Sequence, residues 1–211
     1  LLYYTAWVQD QRERFPDDES WDKREDFLLP LVKGYSSEKA YELLAISLQV
    51  FGGSGFTTDY PIEQYIRDTK IDTLYEGTTA IQAMDLFFRK IARDQGQTLT
   101  VLAGEVLEMI KGGPEELATE RELLGKALDD TQGHLGVMDG HLMGAQQDPT
   151  GLSKQTLHTN ALQESVSEVT IAWLMLQQEA VALNSMPEAA DRVKAFYEGK
   201  DASASVCCPH A

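Results

Sequence analysis

The sequence predicts an all-α fold: an up-down helical bundle followed by a second helical segment. Three observations carry this prediction. Apolar residues recur at helical spacing through most of the 211 residues. Glycine, proline and serine clusters divide the chain into pieces of helical length. No convincing strand is found, so no glycine-rich dinucleotide fingerprint follows one.

The elements follow in order. Leu1 to Arg14 reads as one helix, with Leu2, Ala6 and Gln9 on a common face, and Phe15 to Ser20 breaks it. Trp21 to Val32 is helical, with Pro30 kinking or ending it. Gly34 and the Ser36-Ser37 pair mark a stop and a new N-cap. Glu38 to Phe51 is a strong helix, with Ala40, Tyr41, Leu44, Leu48 and Phe51 at core spacing. Pro61 suits the first turn of a short helix to about Thr69, where Arg67 and Asp68 suit an ion pair to another part of the domain. Thr78 is a good N-cap for a helix to about Asp94, with Ile81, Met84, Phe87, Phe88 and Ile91 on its apolar face. Gly96 ends that helix, Thr98 to Ile110 forms another, and Gly112-Gly113-Pro114 breaks the chain. The domain boundary is expected between Gly96 and Pro114, and the domains are taken as 1–96 and 97–211. Glu115 to Ala145 is helical, with Leu117, Leu124, Leu128, Leu135 and Leu142 in its stripe. Asp148-Pro149-Thr150 reads as a turn. Gly151 to Asn184 is helical and richest at Ile171, Trp173, Leu174 and Leu176, and Pro187 starts a last helix through Phe196 and Tyr197.

Composition excludes several functions. A hydrophobic fraction of 43% fits a globular chain, long enough for one sizeable core or two small domains. The net charge is -16, from 34 acidic and 18 basic residues. That balance opposes nucleic-acid binding and adhesion to anionic membranes. No run of about 20 apolar residues offers a membrane span. The start, LLYYTAWVQDQRERF, has no basic segment and reads as the middle of an amphipathic helix. The expectation is that the chain begins inside a larger protein. Cys207 and Cys208 are adjacent, poorly placed for an ordinary disulfide, and suit a reducing, cytoplasmic setting. His134 and His141 lie seven apart on one helical face with no third ligand, and His158 and His210 stand elsewhere, so no metal site is expected.

Gln49 to Gln82 is the stretch with chemistry. Gly52, Gly53 and Gly55 form either a helix C-cap with a loop, or a turn whose bare N–H groups meet an anion such as phosphate. Tyr75-Glu76-Gly77-Thr78 places a glutamate just before a helix start, beside apolar Leu74 and Tyr75. A carboxylate in an apolar pocket has a raised pKa and suits proton removal from a weak carbon acid. The ordinary alternative is an acidic residue favoured by the helix dipole.

The stretch closely resembles the C-terminal helical domain of the acyl-CoA dehydrogenases. Gln49-Val50-Phe51-Gly52-Gly53-Ser54-Gly55-Phe56, Tyr65-Ile66-Arg67-Asp68, Tyr75-Glu76-Gly77-Thr78 and Ile81-Gln82 carry the resemblance in order and spacing. It runs from the first residues to about Ala92. The remainder is similar to the additional helical domain of longer members, the very-long-chain-type and some bacterial fatty-acid enzymes. The resemblance implies α,β-dehydrogenation of a fatty acyl-CoA to the trans-2-enoyl-CoA in β-oxidation. Glu76 would be the catalytic base, with hydride passing to FAD. The backbone N–H of Glu76 and an FAD hydroxyl would hold the substrate carbonyl, as an oxyanion hole does. Gln49, Gly52 and Gly53 fall at positions that meet the adenosine diphosphate part of FAD, commonly FAD bound by a neighbouring subunit, and Thr78 at a position that meets the FAD on the base's own side. Tyr75 and Gly77 fall on the wall of the substrate site. Ala80 stands where many members carry a glutamine that touches FAD, a departure at a cofactor position. An electron-transfer flavoprotein as acceptor and a dimer or tetramer are implied as partners. The last residues, from Asp201, depart from the family. Two other readings stand beside this one: an inert helical oligomerisation module, and an acyl-CoA oxidase or nitroalkane-oxidising relative.

Overall fold

The computed structural model describes residues 1–144 and 150–207. The helices are α1 Leu2–Arg14, α2 Glu19–Phe51, α3 Gly53–Phe56, α4 Ile62–Lys70, α5 Thr79–Met84, α6 Gln97–Gly112, α7 Ala118–Gly144, α8 Thr150–Ser185 and α9 Asp191–Cys207. The all-α prediction holds: among the described residues no strand forms. The chain divides into two compact units. The N-terminal unit is Leu2–Gly96 with Thr156–Glu164, and the C-terminal unit is Leu1, Gln97–Gln155 and Ser165–Ala211.

In the N-terminal unit, α2 is the spine. Asp18 caps its start by accepting from the Ser20 N–H at 3.0 Å. The predicted interruption at Pro30, Gly34 and Ser36-Ser37 does not occur, and α2 runs unbroken for 33 residues. Proline in a helix interior costs about 3 kcal/mol. Phe27, Leu28 and Leu31 are buried on the same face, and full burial of each such side chain contributes about 1.5–3 kcal/mol. Packing therefore outweighs the local signal. The Ser37 hydroxyl donates back to the carbonyl oxygens of Lys33 at 2.7 Å and Gly34 at 3.1 Å, so it supports the helix rather than capping a new one. The Pro30 carbonyl accepts from Gln163 Nε2 of α8 at 2.7 Å. Gly34 makes that approach possible, since a Cβ there would lie 2.4 Å from Gln163 Nε2.

α1 packs on α2 through Thr5 and Val8, not through Leu2, which is exposed. Arg12 ties the two helices, reaching Glu25 at 2.7 Å and Asp22 at 3.0 Å. α4 and α5 also pack on α2. Beyond Met84 the α5 helix continues in π-helical register as Asp85–Ala92. Ala83, Leu86, Phe87 and Ile91 form its buried face, whereas the predicted Ile81 is exposed. The helix ends as expected at Gly96, at φ 71°, whose N–H donates to Ile91 O at 2.9 Å. Asp68 accepts from Gln64 within α4 at 3.4 Å, and among the described residues Arg67 enters no ion pair.

In the C-terminal unit, α6 ends at the Gly112-Gly113-Pro114 breaker and Glu115–Leu117 forms a 3-10 turn into α7. Leu117, Leu124, Leu128, Ala127, Thr131 and Met138 are buried along this segment, while Leu135 and Leu142 are only half-buried. On α8, Val166, Val169, Ala172, Trp173 and Leu176 complete the core. Pro187 lies in a 3-10 turn, Met186–Glu188, and α9 begins after it at Asp191. Glu179 of α8 is 1% exposed. Burial pushes its carboxyl up to about 8, helped by a hydrogen bond to Asp201 of α9 and by the charges of Asp201 and of Glu120 of α7. Asp148, Pro149, Cys208 and His210 lie outside the described residues.

Candidate functional site

Every sequence-predicted site residue lies in the N-terminal unit. Gly52 ends α2 at φ 60°, a left-handed conformation that favours glycine, and its N–H donates to Gln49 O at 3.1 Å. The helix-cap reading of this turn is therefore correct at Gly52. The one-turn α3 follows. Gln49, Gly52 and Gly53 are exposed, and a Cβ at either glycine would meet nothing within 4 Å. Gly55 does a different job: a Cβ there would lie 2.7 Å from Phe51 Cβ and 2.8 Å from Leu48 O, so it lets α3 fold back on α2. An exposed side-chain amide beside an open, uncluttered backbone turn suits close approach by a polar diphosphate, and these residues fit that part of FAD.

The second part of the site is the segment between α4 and α5. A 3-10 turn, Ile71–Thr73, closes α4, and the Leu74 and Tyr75 N–H groups both donate to Ile71 O, at 3.0 and 2.8 Å. Glu76 and Gly77 are then consecutive left-handed residues, at φ 57° and 94°. A non-glycine residue at positive φ is uncommon and persists where its surroundings determine it. Gln82, one turn into α5, braces this turn: its Nε2 donates to the Glu76 carbonyl at 3.2 Å. Thr78 has extended backbone geometry at the N-cap position, though its side chain makes no capping hydrogen bond. The next residue is tied instead: Thr79 Oγ1 donates to Glu38 Oε1 of α2 at 2.5 Å. Upstream, Lys33 Nζ of α2 donates to Asp72 O.

Glu76 itself is exposed, and among the described residues its carboxylate has no ion-pair or hydrogen-bond partner. The apolar surroundings expected for it are present as surface rather than as a pocket. Leu74 is 58% exposed and Tyr75 65%, and Ile71 and Ile81 flank them. Thr78 and Ala80 are exposed as well. The unit does hold a cleft of about 520 Å³, lined by Gly34, Tyr35, Glu38, Lys39, Thr79 and Gln163 among others. It borders Thr79, but none of the predicted site residues lines it. Among the described residues no group of three or more His, Cys, Asp or Glu side chains could hold a metal ion.

Sequence reasoning missed Lys33, Glu38 and Thr79. Glu38 and Thr79 stand 41 positions apart, so only the packing of α5 on α2 brings them together.

Residues 1–89 match the family described as acyl-CoA dehydrogenase, C-terminal domain, and residues 102–209 match the one described as acetyl-CoA dehydrogenase C-terminal like. The chain belongs to the acyl-CoA dehydrogenase family. A broad-specificity linear acyl-CoA dehydrogenase of Mycobacterium tuberculosis is 52% identical over 97% of this chain and 35% of its own length. A butyryl-CoA dehydrogenase of Syntrophomonas wolfei is 30% identical over 96% of this chain and 33% of its own length. A 3-methylmercaptopropionyl-CoA dehydrogenase of Ruegeria pomeroyi is 38% identical over 59% of this chain and 21% of its own length. The chain thus spans about a third of the length of the acyl-CoA dehydrogenases that it matches along most of its extent. Among the described residues no helix is long and apolar enough to cross a membrane.

Proposed function

We propose that this chain is the C-terminal part of an FAD-dependent acyl-CoA dehydrogenase that forms trans-2-enoyl-CoA from linear fatty acyl-CoA thioesters in β-oxidation, in the cytoplasm. The observation that carries the reading is the Glu76 loop: an exposed carboxylate on a left-handed turn, set in an apolar surface, in a chain of this family. In this proposal Glu76 is the base. It removes the α-proton of the thioester and holds it on its carboxylate. FAD, when bound, supplies the acceptor for the hydride that leaves the β-carbon. The Glu76 N–H orients the thioester carbonyl, which lowers the cost of negative charge developing there. Gln49, Gly52 and Gly53 would hold the diphosphate end of FAD bound by a neighbouring subunit, and Thr78 and Ala80 would contact the FAD on the side of Glu76. Tyr75 and Gly77 form the wall against the acyl group.

We assign the chain to two domains, 1–96 and 97–211, and infer a homo-oligomer that passes electrons to an electron-transfer flavoprotein. Anaerobic titration of the full-length enzyme with an acyl-CoA tests the reading. Flavin bleaching, reversed by the carrier flavoprotein and only slowly by oxygen, is expected. Rapid reoxidation by oxygen with peroxide release would assign an oxidase, and no bleaching would refute the proposal.

A further inference from the structure

The loop that carries Glu76 is fastened to α2 on both sides. On its N-terminal side Lys33 Nζ donates to Asp72 O. On its C-terminal side Thr79 Oγ1 donates to Glu38 Oε1 at 2.5 Å, in the short range of charge-assisted O–H···O⁻ bonds. Lys33 and Glu38 lie on α2, the helix against which both α4 and α5 pack. Between the two ties the chain makes its left-handed excursion at Glu76 and Gly77, braced by the Gln82 amide on the Glu76 carbonyl. Nothing else among the described residues holds the Glu76 side chain or carbonyl. The direction of its N–H and of its Cα–Cβ bond is therefore set by backbone, and that backbone is tied to α2 on both sides.

We propose that Glu38 and Lys33 are positioning residues, a two-point clamp from α2 that fixes the backbone of the Glu76 loop, and with it the place from which Glu76 presents its side chain and the aim of its N–H. The inference rests on the reading of Glu76 as the base. Glu38 acts through Thr79 and touches neither substrate nor flavin. Its bond fixes the first residue of α5, and with it Gln82 one turn later, so one contact on α2 sets the Gln82 end of the brace on the Glu76 carbonyl. Lys33 stops the Ile71–Thr73 turn from swinging away.

The test uses the full-length, flavin-loaded enzyme and follows exchange of the substrate α-hydrogen with solvent deuterium. The variants are Thr79→Val and Glu38→Ala, with Thr79→Ser and Glu38→Gln as conservative partners that keep a donor or an acceptor. Loss of aim at a reacting group costs up to about 100-fold. Thr79→Val and Glu38→Ala are expected to slow exchange by about 10-fold or more, with flavin content and KM unchanged, and the conservative partners to restore most of the rate. In the 211-residue chain, amide hydrogen exchange at residues 74–78 is expected to quicken in the same two variants only. Parental rates and loop protection in Thr79→Val and Glu38→Ala, with Glu76→Gln inactive, would overturn the clamp and leave the base in place. Equal loss in the conservative and disruptive variants would assign the bond a purely structural role and overturn it too. A fully active Glu76→Gln would overturn the base reading, and the clamp's catalytic purpose with it.

Discussion

Gly77→Ala puts the most weight on the loop geometry. Gly77 has φ 94°, and an added Cβ would lie 2.9 Å from Gln82 Nε2, with Ile81 Cγ2 next at 3.5 Å. The first cost is backbone strain, about 1–3 kcal/mol for a non-glycine residue held in a sparsely populated region. The second is the contact. Gln82 is flexible and moves, but in moving gives up its bond to the Glu76 carbonyl, worth about 0.5–1.5 kcal/mol. Together they come to roughly 2–4 kcal/mol. The two parts separate in a double-mutant cycle with Gln82→Ala, which removes the contact and keeps the strain. In that background Gly77→Ala is expected to cost about 0.5–1.5 kcal/mol less than in the parent. Native-state hydrogen exchange at residues 74–78 reads the local cost, and urea unfolding reads how much of it reaches global stability. A change below about 0.5 kcal/mol by both measurements, or a cycle that is additive, would refute the assignment of Gly77 and Gln82 as one device.

Four further outcomes are expected. Gly34→Ala drives a Cβ into the Gln163 amide and breaks its bond to Pro30; overpacking predicts a loss of about 1–3 kcal/mol, read by urea unfolding. Phe87→Ala empties a fully buried site and should cost about 3–5 kcal/mol by the same assay. Gly53→Ala meets open space, so stability should hold within about 0.5 kcal/mol while FAD occupancy of the full-length enzyme falls. Glu179 gives a pH signature. Its folded value of about 8 lies above the ordinary 4.5, so the folded chain keeps a proton that the unfolded chain has released between those values. That contribution to stability is complete below pH 4.5 and is lost as pH rises through about 8, with a slope of at most about 1.4 kcal/mol per pH unit. Glu179→Gln should flatten the fall in urea midpoint across that window.

Much of the fold was legible because its helix ends carry local chemistry. Gly52, Gly96 and Pro114 punctuate the chain where glycine and proline lead one to expect. The unbroken α2 was not legible. Pro30 and Gly34 are local breakers, and what overrides them is tertiary: burial of Phe27, Leu28 and Leu31, with the Pro30 carbonyl met by a glutamine 133 positions away. The π-register of Asp85–Ala92 likewise has no period that an α-helical reading would reveal. At the site, the order of glycines, glutamate and threonine was readable, and the positive φ of Glu76 was not, because nothing in the sequence marks the Gln82 amide as the brace on its carbonyl. Glu38 and Lys33 carry no motif of their own. Their meaning comes from the tertiary packing of α4 and α5 on α2.

The most direct measurement is wash-out of an α-deuterium label from an acyl-CoA bound to the full-length enzyme carrying Glu76→Gln, with flavin content checked by absorbance. A positioned general base contributes about 10²–10⁴-fold. A loss of that size with flavin fully retained is predicted. Wash-out at the parental rate would contradict the account and move proton removal to another residue.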